Sequence, residues 1–189
     1  MTRIIAGFAG SIALTVPGSG TRPTSDRVRE AIFSALDSRH AISGMRVLDL
    51  YSGSGALGLE AASRGAAHVT LVDRSAVASR NNAARVLKQA PAGSRPIIVT
   101  KGQNVQPFLE SAREFWNLVF LDPPYELAAA ELESALTALL PRLSPDAVVI
   151  VERSSRTEPP AWPDSLKLDR RKDYGDTALY WLTASAIPA

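Results

Sequence analysis

The stretch that most constrains this chain is Val47-Leu48-Asp49-Leu50-Tyr51-Ser52-Gly53-Ser54-Gly55-Ala56-Leu57-Gly58-Leu59-Glu60. An apolar run over 45–51 passes straight into glycines spaced G-x-G-x-x-G, and these open a helical stretch through Ala61 and Ala62 to Arg64-Gly65. In that order the residues read as strand, turn and helix, the unit from which open α/β sheets bind ligands at the carboxyl ends of their strands. Glycine in the turn lets the backbone approach a ligand closely, and the helix N-terminus favours polar or anionic groups.

The alternation continues along the chain. Strands are expected over 68–72, 96–100, 117–121 and 147–152, with helices near 75–89, 105–114 and 128–140. Strands alternating with helices imply a mostly parallel sheet with helices on both faces. The tail, 166–168 and 178–182 with Tyr174-Gly175-Asp176 between them, reads as a closing hairpin at the sheet edge, which brings the expected sheet to seven strands. Upstream, residues 3–16 alternate loosely around a turn at Gly7 to Gly10 and predict a small β-hairpin; Pro17-Gly18-Ser19-Gly20 then breaks the chain. Residues 25–36 carry Val28, Ala31, Ile32, Ala35 and Leu36 at the spacing of a helix with one buried face, capped by Thr24 or Ser25. Arg27, Arg29 and Glu30 are expected off that face, with Arg22 just before the helix. The expected organisation is a β-hairpin extension over 1–22 and an α/β domain over 23–189.

Composition narrows the chemistry. At 189 residues with 46% hydrophobic content, the chain suffices for one domain with a sizeable core. It has no run of about 18 apolar residues to span a membrane, and the apolar part of 1–7 is too short for a signal peptide, so a cytoplasmic location is expected. The lack of cysteine excludes disulfides, thiolate metal sites and cysteine nucleophiles. With only His40 and His68 a histidine metal cluster is not expected either, and no metal is assigned. Charge is uneven: residues 1–46 carry six arginines against three acids, 47–152 carry nine basic residues against eleven acids, and 153–189 carry six against five. Basic flanks suit a polyanion partner, with an ordinary solvated face as the alternative. The Pro-rich loop over 154–164 could reach such a substrate.

Acids at strand tips specify the ligand. Asp73 ends the second expected strand about 20 residues after Gly53, where ribose hydroxyls are held. An adenosine-containing cofactor follows, and both nicotinamide dinucleotide and S-adenosylmethionine meet that requirement. Asp49, just before the turn, can hold the ammonium of an amino-acid moiety, whereas a pyrophosphate would be repelled there. Asn104, after the third strand, could hydrogen-bond the adenine amine, with a surface turn as the alternative. The run Leu118-Val119-Phe120-Leu121 ends in Asp122-Pro123-Pro124-Tyr125, a buried strand stopped by residues that cannot extend a ladder. An exocyclic amine on a planar base is a poor nucleophile until acceptors hold its N–H groups. Asp122 and the Pro123 carbonyl are two acceptors, and Tyr125 is a face for stacking. Methyl transfer to such an amine is the better reading, because hydride transfer has no evident use for this stretch.

On these residues, together with Arg3-Ile4-Ile5-Ala6-Gly7, Arg22-Pro23-Thr24-Ser25-Asp26-Arg27-Val28-Arg29-Glu30-Ala31-Ile32-Phe33 and Tyr174-Gly175-Asp176-Thr177, the chain resembles the bacterial 16S rRNA (guanine-N2)-methyltransferase family over nearly its whole length. The Arg22–Phe33 stretch is the most specific part, since the glycine and Asp-Pro-Pro-Tyr motifs occur in many amino-methyltransferases. The resemblance implies a Rossmann-like S-adenosylmethionine-dependent methyltransferase fold. As substrate it implies a guanine amine in 16S rRNA of an assembled or assembling small ribosomal subunit, met by a monomer. It implies a cofactor set of Asp49, Tyr51, Gly53, Gly55, Asp73, Arg74, Asn104 and Asp122, although the family more often has Asp at the position of Asn104. Asp122, Pro123 and Tyr125 are the implied catalytic set, and Arg3, Arg22, Arg27 and Arg29 join Tyr125 as the RNA contacts. An amino-methyltransferase acting on DNA adenine or another RNA base, and a non-catalytic RNA-binding assembly factor, are the alternatives.

Overall fold

In the computed structural model, residues 2–17 and 25–185 are described. Strands β1 (Arg46–Leu50), β2 (His68–Asp73), β3 (Ile97–Gly102), β4 (Trp116–Leu121), β5 (Leu143–Ser154), β6 (Leu166–Tyr174) and β7 (Thr177–Ala184) form one sheet in the order β3-β2-β1-β4-β5-β7-β6. The run from β3 to β5 is parallel, while β7 lies antiparallel to both β5 and β6, so the sheet is mixed. Helices α1 (Asp26–Ser38), α2 (Ala56–Ser63), α3 (Val77–Leu87), α4 (Val105–Ser111) and α5 (Ala129–Leu139) connect and cover it.

Strands buried on both faces are mainly apolar, and β1 and β4 are so apart from Arg46 and Asp49 of β1 and Asn117 of β4. Val47, Leu118 and Phe120 face a core shared with Val28, Ile32 and Phe33 of α1 and Leu57 and Leu59 of α2. Leu48, Leu50, Val119 and Leu121 face the opposite core, with Phe108 and Leu109 of α4 and Leu132, Leu136 and Leu139 of α5. The chain leaves β1 toward β2 and β3, then returns to the other side of β1 as β4. That reversal opens a crevice at the carboxyl ends of β1 and β4, where such sheets bind ligands.

The amino-terminal β-hairpin expected over 3–16 is reduced to a minimal pairing, with backbone bonds from the Ile4 N–H to the Ile12 carbonyl at 2.9 Å and from the Leu14 N–H to the Thr2 carbonyl at 2.8 Å. Residues 2–14 fold back through a single antiparallel bridge, Arg3 with Ala13. Gly7 at φ +82° and Ser11 at φ +74° bend the return too sharply for a ladder. Beyond that pairing the donors turn to side chains: the N–H groups of Ile5 and Ala6 bond to the Glu60 carboxylate and that of Ala9 to Ser63 Oγ. Arg22 and Thr24, with the rest of 18–24, lie outside the described residues.

Helix α1 also differs from its expected face. Ser25 is its N-cap, accepting from the Val28 N–H at 3.2 Å. Its buried face is Val28, Arg29, Ile32, Phe33 and Leu36, so Arg29 lies inside and not among the exposed cations. Arg29 stands three, four and seven residues before Ile32, Phe33 and Leu36, which is the spacing of one helix face. Phe33 rotates the stripe toward Arg29 and leaves Ala31 and Ala35 at its half-buried margin.

Candidate active site

A cavity of about 760 Å³ opens at the carboxyl end of the sheet. Asp49, Tyr51, Gly53, Asp73, Arg74, Asn104, Asp122, Pro123 and Tyr125 all line it, so the cofactor and catalytic residues read from the sequence converge on one place. Gly55 lies under the wall, as the left-handed N-cap of α2. The register explains the convergence: Asp49 pairs with Phe120 and Leu50 with Leu121, which brings Tyr51 and Asp122 to the ends of adjacent strands.

The glycine turn is built around two carboxylates. Asp49 is almost fully buried, and its Oδ2 accepts from the Gly58 N–H at 2.9 Å. That approach needs glycine, because a Cβ on Gly58 would meet Leu71 Cδ2 at 2.3 Å and Asp49 Cβ at 3.1 Å. Asp73 accepts from the Gly53 N–H at 2.9 Å and from the Ser75 N–H at 3.0 Å. Each Asp73 oxygen keeps a second lone pair for a hydroxyl. At Gly53, φ is +51° and a Cβ would meet nothing within 4 Å, so the turn presents open backbone to the cavity.

Electrostatics single out Asp49. Burial, opposed by the Gly58 hydrogen bond and reinforced by the charges of Asp122 and Asp73, pushes its carboxyl up to about 8. Burial, followed by the charge of Glu131, pushes the Tyr51 phenol up to about 12. Tyr51 also holds φ +60° at the end of β1, a conformation that non-glycine residues adopt rarely and often at functional sites.

The cavity's far side comes from the end of β4 and the turn over 122–127. Asp122 is half-buried and Tyr125 is 54% exposed at the rim. The Leu127 N–H donates to the Pro124 carbonyl at 3.0 Å and closes a turn, and Arg153 Nη2 donates to the Leu127 carbonyl at 3.2 Å from the end of β5. Asn104 stands at the N-cap position of α4 without using its side chain for the cap, which leaves that side chain available at the cavity. Residues that sequence reasoning missed also line the site: Ser52, whose buried Oγ makes no hydrogen bond, and Val16 and Pro17 of the amino-terminal segment. Ser52 and Ser54 sit inside the glycine motif and could have been read from it. Nothing in the spacing signals Val16, Pro17 or Arg153.

Of the residues expected to contact RNA, Tyr125 stands at the cavity and Arg22 lies outside the described residues. Arg3 is 60% exposed with Asp26 at 3.9 Å, and Arg27 is exposed; neither lines the cavity. Arg29 is fully buried with Nη2 on Asp26 at 2.6 Å, so it cannot clamp a phosphate in this arrangement. Much of the basic flank is matched locally, as in Arg39 with Asp169, Arg156 with Asp176 and Arg171 with Asp173.

The fold is that of a class, the Rossmann-like α/β methyltransferases with a mixed seven-stranded sheet; a putative methyltransferase of Escherichia coli superposes with a TM-score of 0.79 at 34% identity, covering 98% of each chain. The chain belongs to the family described as Conserved hypothetical protein 95, whose model matches residues 2–183. It is 36% identical over 177 residues to Ribosomal RNA small subunit methyltransferase D of Escherichia coli K12, covering 93% of this chain and 86% of that one. A solved hypothetical protein of Thermus thermophilus superposes with a TM-score of 0.78 at 31% identity, covering 98% of this chain and 100% of that one. Magnesium protoporphyrin IX methyltransferase of Synechocystis PCC 6803, solved with bound SAM, gives a TM-score of 0.66 at 14% identity, covering 89% of this chain and 87% of that one. At that identity the likeness speaks for the fold alone.

Proposed function

We propose that this protein transfers a methyl group from S-adenosylmethionine to the exocyclic N2 amine of a guanine in 16S rRNA of the small ribosomal subunit, in the cytoplasm. The observation that carries the reading is the meeting of Asp49 and Asp122 in one cavity, on adjacent strand ends, with the Pro123 carbonyl and the exposed Tyr125 ring beside them. The name of the Escherichia coli relative supports the substrate class.

The residues fit the cofactor on their own chemistry. The open backbone at Gly53, the unpaired Ser52 hydroxyl and the uncommitted Asn104 side chain provide the cradle. Asp49 would hold the ammonium, Asp73 the ribose hydroxyls and Asn104 the adenine edge, with Tyr51 and Arg74 closing the sides. When bound, S-adenosylmethionine supplies an electrophilic methyl on a sulfonium.

The chain's own part is to hold the amine. Asp122 and the Pro123 carbonyl accept its two N–H groups, which frees the nitrogen lone pair and stabilises the positive charge that develops on it. Tyr125 stacks on a base turned out of its helix. Removing one such acceptor costs about 10²–10³ in rate. Asp122→Ala should therefore be nearly inactive in single-turnover methyl transfer even when S-adenosylmethionine is saturating. Wild-type turnover by this variant would end the mechanism.

A further inference from the structure

One buried side chain outside the assigned set touches both the amino-terminal segment and the glycine turn. Asn82, within α3, is fully buried. Its Oδ1 accepts from the Thr15 N–H at 2.9 Å, while its Nδ2 donates to the Thr15 carbonyl at 2.8 Å and to the Ser54 carbonyl at 2.9 Å. Both Nδ2 hydrogens are used, and only the amide nitrogen can face two carbonyls, so the orientation of the side chain is determined by its partners. The paired bonds to Thr15 imitate the exchange between two strand residues. The next residues, Val16 and Pro17, line the cavity, and so does Ser54 from the other side.

The rest of the segment is held elsewhere. Glu60 accepts from Ile5 and Ala6, Ser63 bonds Ala6 and Ala9, and Ile4, Ala9 and Leu14 enter the core. These interactions hold 4–14 on α2 and leave the cavity wall to Asn82.

We infer that Asn82 is a positioning residue of the cofactor site, clamping the Val16–Pro17 wall to the Ser54 turn so that cofactor binding and docking of the amino-terminal segment are coupled. This rests on the cofactor reading above. Replacing the amide leaves buried backbone groups unpaired on both elements at once, which weakens the wall and the turn together. Coupling is reciprocal, so the bound cofactor must also tighten the segment.

The test measures S-adenosylhomocysteine binding by calorimetry on Asn82→Ala and on the isosteric Asn82→Asp, which turns an oxygen toward the two carbonyls. Steady-state methyl transfer to small subunits accompanies it. Both variants should raise Kd and the KM for S-adenosylmethionine by about tenfold, with kcat and the KM for subunits within about threefold. Ser63→Ala, which loosens the same segment away from the turn, should leave Kd within about twofold. In the wild-type protein, S-adenosylhomocysteine should slow hydrogen exchange of the Thr15 amide and leave that of Ala9 unchanged. Folded Asn82 variants with wild-type Kd overturn the inference. So does an equal loss in Ser63→Ala, or a Thr15 amide indifferent to ligand. Failure of the wild-type protein to bind S-adenosylhomocysteine overturns the cofactor reading and this inference with it.

Discussion

The Asp49 carboxyl lies beneath the glycine turn, cut off from water and near two other acids, with its proton leaving near 8 where an ordinary Asp ionises near 3.8. The sign of the consequence is set by linkage: the folded protein holds a proton that the unfolded chain has already lost. The contribution of this group to stability is full below about pH 4 and is lost as pH rises through about 8. Asp49→Asn should flatten that decline in thermal melts of the ligand-free protein. An ammonium placed against Asp49 favours the carboxylate, so S-adenosylhomocysteine binding near about pH 6.5 should release a proton. Calorimetry in buffers of different ionisation heat should show that release in the wild-type protein and lose it in Asp49→Asn; equal enthalpies in both buffers for wild type would refute it. Asp73 and Asp122 could be placed at strand ends from the sequence because each ends an apolar run, and Asp49 because it stands just before the glycine turn. Arg29 was misplaced for an equally physical reason, since a charged residue was weighed by its type and not by its spacing from Ile32, Phe33 and Leu36.

Among the elements, α2 carries the clearest constraint. A methyl group at Gly58 would press on Leu71, Val69 and Asp49, which are buried and have little room to give. Overpacking of this kind costs about 1–3 kcal/mol, against about 1 kcal/mol gained from alanine's helix propensity. Gly58→Ala should therefore lower the melting temperature by a few degrees and weaken S-adenosylhomocysteine binding through Asp49. Melting at or above the wild-type temperature would show that α2 can back away from the sheet. Strands β1, β2 and β4 were readable as short, mainly apolar stretches between turn residues. The length of β6 was not, because Lys167, Asp169, Arg171 and Asp173 look like loop while they face solvent on an edge strand. The pairing expected over 3–16 is limited to one bridge, since the next N–H groups bond to Glu60 and Ser63, partners more than 50 residues away that local alternation cannot reveal.

For the whole molecule, the open question is how a cavity of about 760 Å³ meets a substrate as large as a ribosomal subunit. Net charge is only +2, and Arg39 and Arg156 are paired with acids, so steering is expected from exposed cations such as Arg27 and Arg3, the latter 3.9 Å from Asp26. Methyl transfer should fall with rising salt, and Arg3→Ala with Arg27→Ala should reduce the log–log slope by about one for each phosphate that is no longer neutralised. An unchanged slope would take this face out of the interface. The central claim is met most directly by incubating the protein with S-adenosylmethionine labelled in its methyl group and with small subunits from cells lacking this gene, beside naked rRNA and DNA, and identifying the labelled nucleoside by mass. The account predicts N2-methylguanosine from the subunits. Label in adenine, label confined to DNA, or no transfer to any of the three would contradict it.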